Sequence, residues 1–353
     1  MKILIVTHQV AFNIYGGAEI QIEKITDGLA GLGVDVKLFD MWRDKIYDFD
    51  ILHIFNPTMF PYESYFLTTY AKRSSGQTKV AVSPVFWLPY YVQGVKMPLI
   101  LTTGRFLLKL GKLVPYFGPS YVKRTLELSD ILLTNTSEEG QLVKKLFGLP
   151  RNKPLEVIPN GVDISFKHGD PGLFYEKYGI EDFILFVGRI EERKNVLRLI
   201  EAFNESSLDT YLVLIGKPLS REYYMKCKEK AGDNVLFLPP LPHGSDMLKS
   251  AYKAAKVVVL PSYYETPGLS ALEGALAGAN VVITKNGGTR EYFRDYAWYV
   301  DPMDKNSIKK ALVEAFKSPR NRELQKYVEK NFTWEAVVKK LLRVYESLLE
   351  GDT

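Results

Sequence analysis

The chain has 353 residues, 46% of them hydrophobic and 25% charged, with a formal net charge of +5. That length suits two cores of about 150 to 180 residues each, and the composition is that of an ordinary folded protein rather than a disordered or collagen-like one. The lone cysteine, Cys227, excludes a disulfide framework and a cysteine zinc cluster.

The start "MKILIVTHQV" lacks a signal peptide's layout, because its short apolar run turns polar at once. No uninterrupted apolar run reaches the length of a spanning helix. A cytoplasmic protein is expected, soluble or peripheral at a membrane.

In chain order, short β-branched runs alternate with helical patterns, which predicts parallel sheets with crossover helices. Strands are predicted at 2–6, 35–39, 50–55, 79–83, 130–134 and 155–159, with helices starting near Gly17, Pro61, Ser120 and Ser137. Between Glu63 and Glu127 there is no Asp or Glu, while nine Lys and Arg residues fall in that stretch. Nine positive charges against +5 overall leave the rest of the chain at −4, so the basic character is regional. Within it, residues 97–118 interleave cations with Leu, Ile and Phe. The span 96–124 reads either as a buried helix with solvated lysines or as a segment that lies on an anionic membrane surface. No nucleic-acid motif accompanies the charge.

A second series of strands follows at 183–188, 211–216, 234–238, 256–260, 280–284 and 297–300, after a Pro-, Gly- and Asp-rich crossing at 159–172. The fold class is therefore α/β, with two doubly wound, Rossmann-like parallel-sheet domains. The first is expected over 1–165 and the second over 166–332. The tail 332–350 reads as a strong amphipathic helix with a wide apolar face, and 333–350 is assigned back to the first domain. Ligands in such sheets sit beyond the carboxyl ends of the strands; two such domains facing each other would form a cleft.

Three constellations could carry chemistry. In "YYETPGLSALEG" (263–274), Pro267-Gly268 opens a helix whose first amides, at Gly268, Leu269 and Ser270, favour an anion such as phosphate. Glu265 and Glu273 flank that anion site, where a carboxylate would serve hydroxyls rather than phosphate; a plain loop acid and an exposed helix acid are the competing assignment. A nucleotide sugar presents sugar, diphosphate and ribose in the matching order. In "FVGRIEERKN" (186–195), Gly188 ends a buried strand and leaves room for a ligand, and Arg189 and Lys194 could neutralise a departing diphosphate. Surface pairing of those cations with Glu191 and Glu192 is the competing assignment. In "NIYGGAEI" (13–20), Gly16-Gly17 could bring backbone amides close to an anion or a sugar, or simply form a tight turn with Glu19 in the first helical turn. "IGKP" (215–218) and "NGGTREYF" (286–293) are further glycine turns at strand ends. His53 reads as a packed histidine rather than a base, and His8, His168 and His243 show no metal-ligand spacing. No nucleophile elbow and no P-loop is present.

These motifs in this order resemble the retaining nucleotide-sugar glycosyltransferases of the GT-B fold, specifically glycosyltransferase family 4. The resemblance rests on "GGAE" after the first strand, "VIPNGVD" (157–163), "GR" with Lys194 five residues on, Glu265 and Glu273 with seven residues between them, "GGTRE" (287–291) and the terminal helix. It implies that Arg189 and Lys194 hold the donor diphosphate without a metal or other cofactor. It assigns Glu265 to the donor sugar, Gly268 to Ser270 to the phosphate, Glu273 to the ribose, and Gly16-Gly17 to the vicinity of donor and acceptor. Retention would follow same-face attack, with the leaving phosphate taking the acceptor's proton. The implied partners are a nucleotide-diphospho-sugar and a glycan or lipid-linked acceptor, as in cell-surface polysaccharide, lipopolysaccharide or glycolipid synthesis.

The chain departs from the family where many relatives carry a histidine after the fourth strand: it reads "KVAVSPVFWLPYY" (79–91), with Ser83-Pro84. The aromatics Phe86, Trp87, Tyr90 and Tyr91 could stack on a sugar or face a lipid there. Two alternatives remain open, a sugar-nucleotide epimerase or hydrolase of the same fold and a non-catalytic nucleotide-sugar-binding subunit.

Overall fold

The computed structural model describes residues 1–13, 16–74, 78–86 and 118–351. They form two compact units, one of Met1–Asn160 with Trp334–Thr353 and the other of Gly161–Thr333.

The first unit is built on six parallel strands, β1 (Lys2–Val6), β2 (Asp35–Leu38), β3 (Ile51–Phe55), β4 (Lys79–Ser83), β5 (Ile131–Thr134) and β6 (Leu155–Val157), in the order β2-β1-β3-β4-β5-β6. Every residue of β3 is buried, as expected for a central strand covered on both faces. Helices α1 (Gly17–Gly31), α2 (Pro61–Ser74), α3 (Gly118–Leu128) and α4 (Ser137–Phe147) connect the strands. The apolar side chains divide into two clusters, one holding Leu4, Leu52 and Val82 and the other Ile3, Ile5 and Ile51, which is the period-2 alternation of strands buried on both sides.

The second unit repeats the plan with β7 (Ile184–Val187), β8 (Leu212–Ile215), β9 (Val235–Leu238), β10 (Val257–Leu260), β11 (Asn280–Thr284) and β12 (Trp298–Val300), in the order β12-β11-β10-β7-β8-β9, again all parallel. Its helices are α5 (Pro171–Tyr178), α6 (Val196–Asn204), α7 (Arg221–Lys230), α8 (Asp246–Ala254), α9 (Leu269–Ala277), α10 (Thr289–Phe293), α11 (Lys305–Lys317) and α12 (Arg322–Phe332). The division between units falls at 160/161 rather than 165/166. The reason is local: Val162 donates its N–H to the Phe332 carbonyl, bridges to Thr333, and is buried in the second unit's core.

The terminal helix α13 (Trp334–Glu350) packs on α1, where Gly28 permits the approach; a Cβ there would lie 2.6 Å from Val338 Cγ2. Val337, Val338, Leu341 and Tyr345 of that helix are buried in the first unit's core.

In each sheet the strand order reverses once, between β1 and β3 in the first unit and between β7 and β10 in the second. The carboxyl ends of those strands flank the crevices where such sheets bind ligands.

Candidate active site

At the second unit's reversal, the loop after β7 carries Gly188, Arg189 and Lys194. Gly188 has φ +157°, and Gly216 packs so tightly on it that a Cβ at Gly216 would stand 1.8 Å from the Gly188 carbonyl oxygen. The "IGKP" turn is thus fixed by backbone contact, and the Gly188 N–H donates to the Ile215 carbonyl. Arg189 is exposed and makes no ion pair or hydrogen bond among the described residues. Lys194 is largely buried and donates to Glu265 Oε1 at 2.5 Å. Surface pairing therefore engages neither sequence-predicted cation: it is Arg193 that pairs with Glu191, at 3.1 Å.

The loop after β10 carries Glu265. Its side chain is 8% exposed, with Arg193 Nη1 at 3.9 Å as a second cation. Burial alone would raise the carboxyl, but the Lys194 ammonium and the Arg193 guanidinium outweigh it and hold the group below the ordinary carboxylate range. Three backbone links fasten this loop. The Tyr263 N–H donates to the Arg193 carbonyl, the Glu265 N–H donates to the Asn286 carbonyl, and Glu265 bridges to Gly287. A Cβ at Gly287 would meet the Glu265 carbonyl oxygen at 2.2 Å, so this glycine of "GGTRE" is required by close approach.

Helix α9 opens at Gly268, with φ +84° and a virtual Cβ 3.0 Å from Leu260 Cδ1, a position only glycine fills without strain. Ala271 is the first residue whose N–H bonds back, to the Gly268 carbonyl. The amides of Leu269 and Ser270 thus precede the helix's own ladder, as first-turn amides do. Glu273 lies one turn further on, 6% exposed. Both of its oxygens meet donors of the protein: Tyr252 O–H donates to Oε2 at 2.5 Å, and His243 Nε2 lies 2.8 Å from Oε1. Burial, and then the Glu273 carboxylate, push the Tyr252 hydroxyl well above its usual range, so it stays a donor.

The sequence pattern did not reveal Tyr252, His243, Arg193 or Asn195. Asn195 has φ +60°, is buried, and donates from Nδ2 to the carbonyls of Pro261 and Pro302, tying the β7 loop to the segments after β10 and β12. An asparagine directly before an apolar helical run was the available signal, since Asn tolerates the left-handed region.

In the first unit, Gly16 caps α1 with an extended backbone and Gly17 begins the helix. At Gly16 the close neighbour is a side chain: Glu19 Oε2 would be 3.3 Å from a Cβ there, and His8 Nε2 lies 3.9 Å from Glu19 Oε1. His53 is packed, as its sequence context suggests. Its Nε2 meets Ser83 Oγ at 2.9 Å and its Nδ1 meets the Tyr345 hydroxyl at 2.5 Å, and burial lowers its pKa to about 3. The Phe86 N–H donates to buried Glu139. Trp87, Tyr90, Tyr91 and most of the basic span 96–124 lie outside the described residues; Lys123 and Arg124 fall on α3. No helix among the described residues is long and apolar enough to cross a membrane.

Two parallel six-stranded sheets with helices on their faces define the class: an α/β protein of the GT-B fold. Residues 174–334 match the family described as glycosyl transferases group 1, and over that segment the chain resembles these enzymes in sequence. An uncharacterized glycosyltransferase of Methanocaldococcus jannaschii is 29% identical over 238 residues, covering 62% of this chain and 60% of that protein. A D-inositol 3-phosphate glycosyltransferase of Kribbella flavida is 30% identical over 252 residues, covering 65% and 59%. The chain thus spans about 60% of the length of these relatives. The solved structure of Anabaena Alr3699/HepE with UDP and glucose superposes with a TM-score of 0.68 at 15% identity, covering 98% of this chain and 100% of that one, a likeness of fold alone.

Proposed function

We propose that the chain transfers a sugar from a nucleotide-diphospho-sugar to a hydroxyl-bearing acceptor, with retention at the anomeric carbon and without a metal. The observation that carries this is the second unit's strand-order reversal. There the β7 loop carries Arg189, without an ion-pair or hydrogen-bond partner among the described residues, and the Lys194–Glu265 pair and the Tyr263–Arg193 backbone link join that loop to the segment that leads into α9. The match of residues 174–334 to a glycosyltransferase family supports it.

In this mechanism the pyrophosphate lies on the Leu269 and Ser270 amides, and Arg189 and Lys194 supply positive charge. The bond from the anomeric carbon to the phosphate oxygen breaks, and the pair of electrons leaves with the nucleoside diphosphate. The acceptor oxygen bonds to the same face of the ring, and its proton passes to the departing phosphate oxygen. Charge separates in the transition state between an oxocarbenium-like ring and a diphosphate, so fixed cations and amides act where charge develops. Glu265, ionised because two cations adjoin it, accepts hydroxyls of the donor sugar, and Glu273 accepts from the ribose.

A panel of UDP-, GDP-, ADP- and TDP-sugars tests the donor class through the melting temperature. One class is expected to raise it; a ligand at 100 times its Kd stabilises by about 2.7 kcal/mol. Labelled donor should then yield a glycosylated product and a nucleoside diphosphate in EDTA as in its absence. No shift with any sugar nucleotide, or an epimerised donor as sole product, would overturn the proposal.

A further inference from the structure

The first unit's strand-order reversal holds a cavity of about 600 Å³, bounded by the segments after β1, β2 and β3 and by the first turns of α2. A volume of this size suits a small-molecule ligand. Its position corresponds to that of the charged loops at the second unit's reversal, but its side chains are of the opposite kind. Of the 14 described residues that line it, ten are apolar or aromatic, none is Lys or Arg, and Glu63 is the one acid. Met41, Met59 and Phe66 are each about half exposed, so the cavity keeps an apolar wall in contact with solvent. Unbranched methionines adapt to varied ligand shapes. His8 also lines the cavity, and its Nδ1 is buried without a hydrogen-bond partner among the described residues. That leaves hydrogen-bonding capacity for a hydroxyl once the ring turns.

We infer that this cavity binds the apolar portion of an uncharged amphiphilic acceptor, an alkyl- or prenyl-chain alcohol or glycoside, with a hydroxyl towards His8. The inference deepens the transferase proposal by naming the acceptor's class. It sets the chain apart from relatives named for inositol 3-phosphate. A phosphate would meet Glu63 there, and Glu19 beside His8, with no basic side chain among the described lining residues.

Calorimetry on the full chain without donor tests it, using 1-hexanol, 1-octanol, octyl phosphate and inositol 3-phosphate. Octanol should bind about tenfold more tightly than hexanol, the effect of two buried methylenes, and at least tenfold more tightly than octyl phosphate, with no heat from inositol 3-phosphate. Met59→Glu and Phe66→Glu should each weaken octanol at least tenfold. Met225→Glu, at a comparably exposed apolar position of α7, should not. Octyl phosphate binding as tightly as octanol, or equal effects of all three substitutions, would overturn the inference. Because no donor is present, octanol binding at this wall would survive a failure of the transferase proposal, and the sugar-nucleotide panel reports on the latter alone.

Discussion

The two strand-order reversals occupy equivalent places in two sheets of the same plan, yet they are equipped for opposite chemistries. In the second unit the β7 and β10 loops bring cations, a buried acid and open helix amides together, and backbone links with little freedom hold them. In the first unit the β1 and β3 loops frame an apolar cavity with a partly unsatisfied histidine. Parallel strands fix where a ligand binds, whereas the loop side chains decide which ligand it is. Two fully buried tyrosines show the same contrast: Tyr252 serves a carboxylate, and Tyr345 serves a neutral imidazole.

The largest effect that would sharpen this comparison is expected from Lys194→Met. It removes a preorganised cation, so kcat for transfer should fall about 10²- to 10³-fold. It also leaves Glu265 buried with Arg193 as the one nearby cation among the described residues, a loss of about 3 kcal/mol of stability. Near-normal turnover with an unchanged melting temperature would break the assignment of charge to the second unit.

A smaller effect belongs to the first unit. Unfolded, His53 takes a proton below about pH 6.5; folded, it does so only near 3. The unfolded chain therefore binds more protons between those values. Stability should drop as the pH is lowered from about 6.5 towards 3, by at most about 1.4 kcal/mol per pH unit from this group. In proton NMR the His53 ring resonance should stay flat from pH 8 to pH 5; a titration midpoint near 6.5 would show that the packed core does not exclude the charged form.

Much of the second unit's candidate site could be proposed from the sequence because its residues sit in short segments. "GRIEERK" and "ETPGLSALE" each place a charge and a glycine turn at a strand end, and strand ends are readable from β-branched runs. What could not be read was pairing at long range. Lys194 and Glu265 are 71 residues apart, and Glu273 meets Tyr252 and His243 from 21 and 30 residues away. Nothing in the local pattern of α8 distinguishes Tyr252 from an ordinary core tyrosine. The first unit's cavity was illegible for another reason. Its lining comes from the segments after three strands, and Met41, Met59 and Phe66 carry no periodic or charged signal of their own.

Crystals soaked with the sugar nucleotide that raises the melting temperature would test the central claim most directly. The pyrophosphate should lie against the Leu269 and Ser270 amides, within reach of the Arg189 guanidinium and the Lys194 ammonium. Electron density for it anywhere else on the chain would contradict the account.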